Sequence, residues 1–312
     1  MALPEDYLRY PRRRHGMDHD RYGWSDLFQR PPVTWPGGAR IALWICTSVQ
    51  WFPLDMSGKP FRAPGGLTMP YPDTRHYTSR DYGNRVGIYR ILTLLERLRL
   101  PASFAVNAAV AERYPTLIQA LAGREIIAHG IDASRVHYTG MQHEEVLVRH
   151  TLDVLRGASE QKVGGWLSPG RAQSFATPDI LAANGVEYGC DWANDDMPYP
   201  MRTNAGELWA MPLAQETDDR TVLLDFRHTE DSWLEQTRDR FDALYRESAR
   251  YGGRIMSVPL HAWVMGTPSR ITYLREALDY MLGHEGVWPA TGAEILDAFR
   301  ASAPSPSGRG SG

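Results

Sequence analysis

Apolar residues fall into two kinds of run along most of this chain. Short, nearly unbroken runs at residues 40–46, 102–106, 125–128, 165–167, 188–191, 208–211, 222–226 and 255–260 have the length and composition of buried strands. Between them, apolar residues recur at three- and four-residue spacing. Residues 80–98 carry Val86, Ile88, Ile91, Leu92, Leu94, Leu95 and Leu98 in this way, and residues 143–157 carry Leu147, Val148, Leu152 and Leu155. Helices are predicted there and at 114–122, 177–184, 232–251, 270–283 and 291–301. Pro115 suits a first turn and Gly185 a helix stop. Strand and helix alternate, which predicts an α/β fold with a mainly parallel sheet. About seven such units fit a deformed (β/α) barrel better than an open doubly wound sheet. No Gly-x-Gly-x-x-Gly follows a strand, so a dinucleotide fold has no support.

Three segments lack either period. Residues 1–38 read as an extended arm, residues 52–77 as a Pro/Gly-rich insertion, and residues 303–312 as a disordered tail. Residues 39–302 then form a single barrel domain. Arm and insertion cannot build a core of their own, so packing on a second copy is expected, as a homo-oligomer (dimer or tetramer). The net charge of −3 and the brevity of the Arg9, Arg12, Arg13, Arg14 cluster argue against nucleic acid as a partner. No apolar run reaches the roughly 18 residues needed to span a membrane. The opening Met1-Ala-Leu-Pro-Glu-Asp6 lacks the apolar core of a secretory signal, so a cytosolic protein is expected. Cys46 and Cys190, the only cysteines, sit in apolar runs and read as buried thiols.

In a parallel barrel the residues just past the strand ends converge on the active site. Those positions here hold Thr47-Ser-Val-Gln-Trp51, Asn107, His129-Gly-Ile-Asp132, Ser168-Pro-Gly-Arg171, Asp191-Trp-Ala-Asn-Asp-Asp196 and Leu260-His-Ala-Trp263. Two histidines among amides and carboxylates suit general acid–base hydrolysis. His129 and His261 are the candidate catalytic pair. Gln50, Asn107 and Arg171 are candidate carbonyl donors, Asp191 a candidate substrate or base holder, and Trp51, Trp192 and Trp263 candidate walls of a small-molecule pocket. A metal site at His129 would want a second ligand one helical turn on, where Ala133 stands. Asp132 reads as a turn cap or a substitute ligand, and His137 is open between a pocket and a packing role. Asp195 and Asp196 suit a turn as well as a site, and His143 and His150 read as surface or packing residues.

The ordered set Asp81-Tyr-Gly-Asn-Arg-Val-Gly-Ile-Tyr-Arg90, Ile127-Ala-His-Gly-Ile131, Gly165-Trp-Leu-Ser-Pro-Gly170, Asp191-Trp-Ala-Asn-Asp-Asp196, Leu260-His-Ala-Trp263 and Thr291-Gly-Ala-Glu-Ile295 resembles the polysaccharide deacetylase superfamily, carbohydrate esterase family four. The pattern is closest to its branch of metal-independent allantoinase and cyclic imide hydrolases. The resemblance implies a deacetylase-like barrel, often tetrameric, and a leaving-group or oxyanion role for His261. It also implies where a metal would sit. The acidic pair of metal-dependent members aligns with Val49-Gln50, their second histidine with Ala133, and the arginine that orients their base falls near Leu167. The resembled branch often carries Glu at the position of Gln50. The expectation is a metal-independent hydrolase, without cofactor, of a non-peptide C–N bond in a small cyclic or linear amide, ureide or imide. Alternatives are a Zn²⁺-dependent N-deacetylase that recruits Asp132 or His137, and an inactive binding protein on the same fold.

Overall fold

The structure is a computed structural model that describes His19, residues 21–54 and residues 72–302. Its strands are β1 (Ile41–Val49), β2 (Ser103–Val106), β3 (Glu125–Ala128), β4 (Gly165–Trp166), β5 (Tyr188–Gly189), β6 (Tyr199–Met201), β7 (Leu208–Ala210), β8 (Arg254–His261) and β9 (Val287–Pro289). Parallel pairing runs β7-β5-β4-β3-β2-β1-β8, so seven parallel strands form one curled, open-sided barrel. β6 adds antiparallel to β7, and β9 pairs with the first residues of β1. All nine residues of β1 are buried, because it has partners on both edges and helices or strands over both faces.

The helices are α1 (Thr74–Tyr82), α2 (Ile88–Leu98), α3 (Ala108–Arg113), α4 (Pro115–Ala120), α5 (Glu144–Ser159), α6 (Thr177–Ala183), α7 (Glu230–Tyr251), α8 (Ala262–Met265), α9 (Ile271–Leu282) and α10 (Gly292–Ser302). The helix predicted over 80–98 is present and begins earlier, at Thr74, because α1 and α2 run on into each other through helical backbone at residues 83–87. A π-type turn, Gly83–Gly87, joins them and packs on α8. The helix predicted over 114–122 is short, and Tyr114, with φ −128° and ψ 62°, separates α3 from α4.

One predicted strand is absent. Residues 222–225 lie in a π-type turn, Thr221–Asp225, and Phe226 follows it. Val222 and Leu223 are both buried while Phe226 is 60% exposed. A strand would bury alternate residues, and a short apolar run cannot by itself tell the two apart.

Register decides what the barrel presents. Val49 pairs with Val106, Val106 with Ala128, Ala128 with Trp166, and Ser48 with His261. One residue further along the first four strands stand Gln50, Asn107, His129 and Leu167, two residues past the level of Ser48 and His261. At the opposite end, half-buried Glu125 accepts hydrogen bonds from Ser103, from the Tyr188 hydroxyl at 2.6 Å and from the backbone N–H groups of Gly292 and Ala293 at 2.8 and 3.0 Å. That carboxylate ties β2, β3 and β5 to the start of α10, at the rim away from His129.

The described part of the arm is fastened to its own domain. Arg21 grips Asp179 through two hydrogen bonds of 2.9 and 2.8 Å, and buried Trp35 donates to the Arg254 carbonyl at 3.0 Å. The Arg9–Arg14 cluster, residues 55–71 of the insertion and the tail at 303–312 lie outside the described residues. Among the described residues no helix is long and apolar enough to cross a membrane.

The π-type turn is held close to α8 by small residues. A Cβ on Gly87 would stand 2.2 Å from the Ala262 carbonyl oxygen, and one on Gly83 would stand 2.6 Å from the Trp263 nitrogen. Both neighbours are backbone and cannot rotate away. Gly87→Ala should destabilise the fold by about 2–3 kcal/mol, since overpacking forces a backbone shift. A denaturant midpoint equal to that of the parent chain would refute this.

Candidate active site

The cavity at the C-terminal rim measures about 260 Å³, and Gln50, His129, His261, Trp263 and Arg171 are in its wall. Its polarity is set by one group that can only donate. The Trp263 indole N–H lies 3.0 Å from the Gln50 side chain, so the atom it meets is Oε1. The Gln50 amide nitrogen then points at His129 Nε2, 3.1 Å away. An N–H there requires an unprotonated Nε2. The proton sits on Nδ1, which donates to the Leu167 carbonyl at 2.6 Å. One indole thus fixes the amide, and the amide fixes the imidazole tautomer. The second amide N–H of Gln50 makes no hydrogen bond among the described residues.

Neighbouring residues hold this arrangement in place. Asn84, in the π-type turn, donates to the Gln50 backbone carbonyl at 2.9 Å, and its glycine neighbours let Trp263 come close. Asn107 accepts from the Trp51 backbone N–H at 2.9 Å and donates to the His129 carbonyl.

His129 is 2% exposed. Burial drives its pKa down to about 4, against the pull of the Leu167 carbonyl, with His261 and Arg171 lowering it further. The folded pKa lies below the unfolded one, so protonation favours unfolding. Stability from His129 is complete above the ordinary value and is withdrawn as pH falls from about 6.5 to about 4, by roughly 3 kcal/mol in all. Urea midpoints measured across that window should fall in the parent chain, and His129→Gln should flatten the slope. An equal slope in both proteins would count against a neutral His129.

His261 stands in a different field. Its Nδ1–H donates to Asp219 at 2.8 Å, and its backbone N–H donates to the other oxygen of the same carboxylate at 2.9 Å. Asp218 lies 4.0 Å from Nδ1. Burial alone would lower the His261 pKa, but Asp218 and Asp219 outweigh it and raise the value. Burial raises the Asp219 carboxyl, and its bonds from His261 hold it back. Nε2 of His261 has no partner among the described residues, and the residue faces the cavity.

Asp218 and Asp219 escaped the sequence reading. They precede an apolar run that reads as a strand, whereas Asp218 in fact caps a turn by accepting from the Thr221 N–H and hydroxyl at 2.9 and 3.1 Å. The available signal was two consecutive acids inside the polar stretch Gln215-Glu-Thr-Asp-Asp-Arg-Thr221, directly before an apolar run.

The remaining candidates divide. Arg171, with φ 54°, lines the cavity, but its guanidinium donates to the Leu213 and Ala214 carbonyls at 2.8 and 3.4 Å and lies 3.5 Å from Asp218. Asn107 and Trp51 are outside the cavity wall, and Arg113 stacks on the Trp51 ring at 4.0 Å. Asn107 differs from the expected carbonyl donor because it is outside the cavity wall, with its amide turned to the Trp51 N–H and the His129 carbonyl. Asp191 and Trp192 line a neighbouring recess that shares Arg171 with the cavity.

His137 is buried and bonded to Glu144 at 2.9 Å, and Asp132 caps its own turn through the N–H groups of Ser134 and Arg135 at 2.9 and 3.1 Å. Neither reaches the cavity wall. Asp195 and Asp196 pair with Arg30 and Arg240 at 2.6 and 2.9 Å.

The donor atoms do not fit a metal beside His129. Both its nitrogens are engaged, Gln50 turns an N–H toward it, and Ala133 offers nothing. Asp218, Asp219 and His261 do bring ligand atoms within 4.8 Å of one another. There, however, the Asp219 oxygens accept from His261 and one Asp218 oxygen accepts from Thr221.

No protein-family model matches the chain. A Schizosaccharomyces pombe protein assigned to the polysaccharide deacetylases is 27% identical over 306 residues, which cover 86% of this chain and 93% of the relative. The peptidoglycan deacetylase of Helicobacter pylori is 23% identical, over 70% of this chain and 85% of its own length. The crystal structure of PuuE allantoinase superposes with a TM-score of 0.79 at 25% identity, covering 91% of this chain and 99% of that one.

Proposed function

We propose that this chain, which belongs to the polysaccharide deacetylase superfamily and resembles its allantoinase-like branch, hydrolyses a C–N bond in a small cyclic or linear amide, ureide or imide without a catalytic metal. The observation that carries this reading is the Asp219–His261 pair opposite a Gln50 amide whose direction Trp263 and His129 fix. Water gives a proton to His261 Nε2 as its oxygen attacks the carbonyl carbon. The imidazolium that forms is stabilised by Asp219 and Asp218. Negative charge on the carbonyl oxygen is met by the spare N–H of Gln50, a preorganised donor. His261 then returns the proton to the leaving nitrogen as the C–N bond breaks. Cyclic imides and ureides suit such a site because their carbonyls are more electrophilic than those of ordinary amides.

His129 has a different part from the one expected of it. Its Nε2 lone pair is occupied by Gln50 and its pKa is depressed, so it orients the carbonyl donor while His261 moves the proton. The metal-free reading is supported by the mismatch of donor atoms around His129.

Purified protein should open hydantoin, succinimide, maleimide or allantoin at a rate that a chelator leaves unchanged. Chelator-sensitive turnover, or a stoichiometric metal in the purified protein, would instead support an N-deacetylase that uses a metal. Ligand stabilisation without turnover of any of these compounds would support the inactive binding protein.

A further inference from the structure

We infer that Ser48 is a further catalytic residue of this cavity: its hydroxyl and His261 Nε2 together hold the attacking water. The inference rests on the hydrolase reading above for the reaction, and on strand geometry alone for where the water sits.

Strand register brings the two side chains together. β1 and β8 pair in parallel, with Ser48 opposite His261. Side chains alternate along a strand, so paired residues leave adjacent strands on the same side, from backbones about 4.8 Å apart. The cavity wall follows that alternation. Cys46 and Ser48 of β1 and Pro259 and His261 of β8 line it, whereas Val49 and Leu260 between and beyond them pack in the hydrophobic core.

Ser48 carries hydrogen-bonding capacity that the protein leaves unspent. The residue is 6% exposed and lines the cavity, and its hydroxyl makes no hydrogen bond among the described residues. The other hydroxyls of the wall are committed. Ser168 donates to Asp191 at 2.7 Å and Thr221 to Asp218 at 3.1 Å. The Gln50 oxygen is taken by Trp263, and burial pushes the Cys46 thiol up, so it stays a protonated, weak donor. Asp219 fixes the His261 ring from behind, through Nδ1. Ser48 Oγ and His261 Nε2 are thus two unspent polar atoms on neighbouring strands, the setting that holds an ordered water.

The two contacts orient that water. One O–H donates to Nε2 and the other to Ser48 Oγ, which leaves a lone pair for the carbonyl carbon held at Gln50. As the new O–C bond forms, the first proton passes to Nε2 and the second stays on the added oxygen. His261 gives its proton to the leaving nitrogen when the C–N bond breaks. Ser48 gains and loses no covalent bond.

Two measurements test this. A crystal structure of the parent protein should show a water within hydrogen-bond distance of both Oγ and Nε2, and Ser48→Ala should lose it. On whichever of the compounds named above the parent opens, Ser48→Ala should lower kcat about 10–100-fold through misplacement of the nucleophile, with KM little changed. Ser48→Thr keeps a hydroxyl and should retain more activity. The Ser48 hydroxyl has no protein partner to lose, so Ser48→Ala should melt within about 1 °C of the parent, and the acid limb of its pH profile should not move. A shifted limb or a lower melting temperature would mean that the substitution disturbs His261, and would overturn the direct role. So would a parent without the bridging water, a water that survives in Ser48→Ala, or full kcat in that variant. An acyl group found on Ser48 by mass spectrometry of quenched reactions would make it the nucleophile and overturn the inference as well. A bridging water in a protein that opens none of the compounds supports the water site and sinks the hydrolase reading.

Discussion

His261→Ala should lower kcat by about 10³-fold, within the range lost when a positioned acid–base group is removed. Among the described residues, the imidazole is the one cavity group with a free, lone-pair-bearing nitrogen and a buried carboxylate behind it. Asp219→Asn should be comparably severe. An amide at 219 can present its NH₂ to Nδ1 and invert the tautomer, a change that costs about 10⁴-fold where a buried carboxylate orients a catalytic histidine.

The pH profile separates these roles. His261 must be neutral to accept a proton, and Asp218 and Asp219 raise its pKa. The acid limb of kcat/KM should therefore lie above the ordinary value of about 6.5 for a histidine. In Asp219→Asn the acid limb of the residual activity should move to a lower pH, because one of the two carboxylates that raise the pKa is gone. A limb that stays in place in the variant would remove Asp219 from this role, and full activity in His261→Ala would remove His261.

Gln50→Leu should cost about 10²–10³-fold in kcat, the loss typical of one preorganised oxyanion donor. The substitution also leaves the Trp263 N–H and the His129 Nε2 without partners. Gln50→Glu is more diagnostic. A carboxylate at position 50 still accepts from Trp263, but it can only accept from His129. Nε2 must then carry a proton while Nδ1 keeps the one it gives to Leu167. His129 should become an imidazolium paired with the introduced carboxylate, and its NMR titration should move from about 4 up to or beyond 6.5. A His129 that still titrates near 4 in that variant would mean that the amide at position 50 does not donate to it.

Much of the fold is local and so was legible. β1 to β5 and the long helices follow from apolar period, with ends shifted by a few residues where caps and backbone conformation intervene. Residues 222–226 failed because Val-Leu-Leu carries no period of its own, and the buried Asp218 cap makes it a turn. The strand-end rule brought Gln50, His129, Arg171, His261 and Trp263 to one cavity, because a parallel sheet puts all its strand ends on one rim. Asn107 and Trp51 obey the same rule yet stay out of the cavity wall, since a strand end fixes a level and not a side-chain direction.

The sequence by itself determined the alternation of strand and helix, the set of polar residues at one rim, and the absence of a second histidine at 133. Each depends on side-chain type and short-range spacing. The tertiary structure alone decided which partners those residues meet. Gln50 and Trp263 are 213 residues apart, and His261 and Asp219 are 42 apart. The donor that orients the amide and the carboxylate that charges the imidazole arrive by packing, through two glycines that let α8 approach and a turn that mimics a strand. Hydrogen-bond direction and local field raise the pKa of His261 and lower that of His129, and neither is written in spacing along the chain.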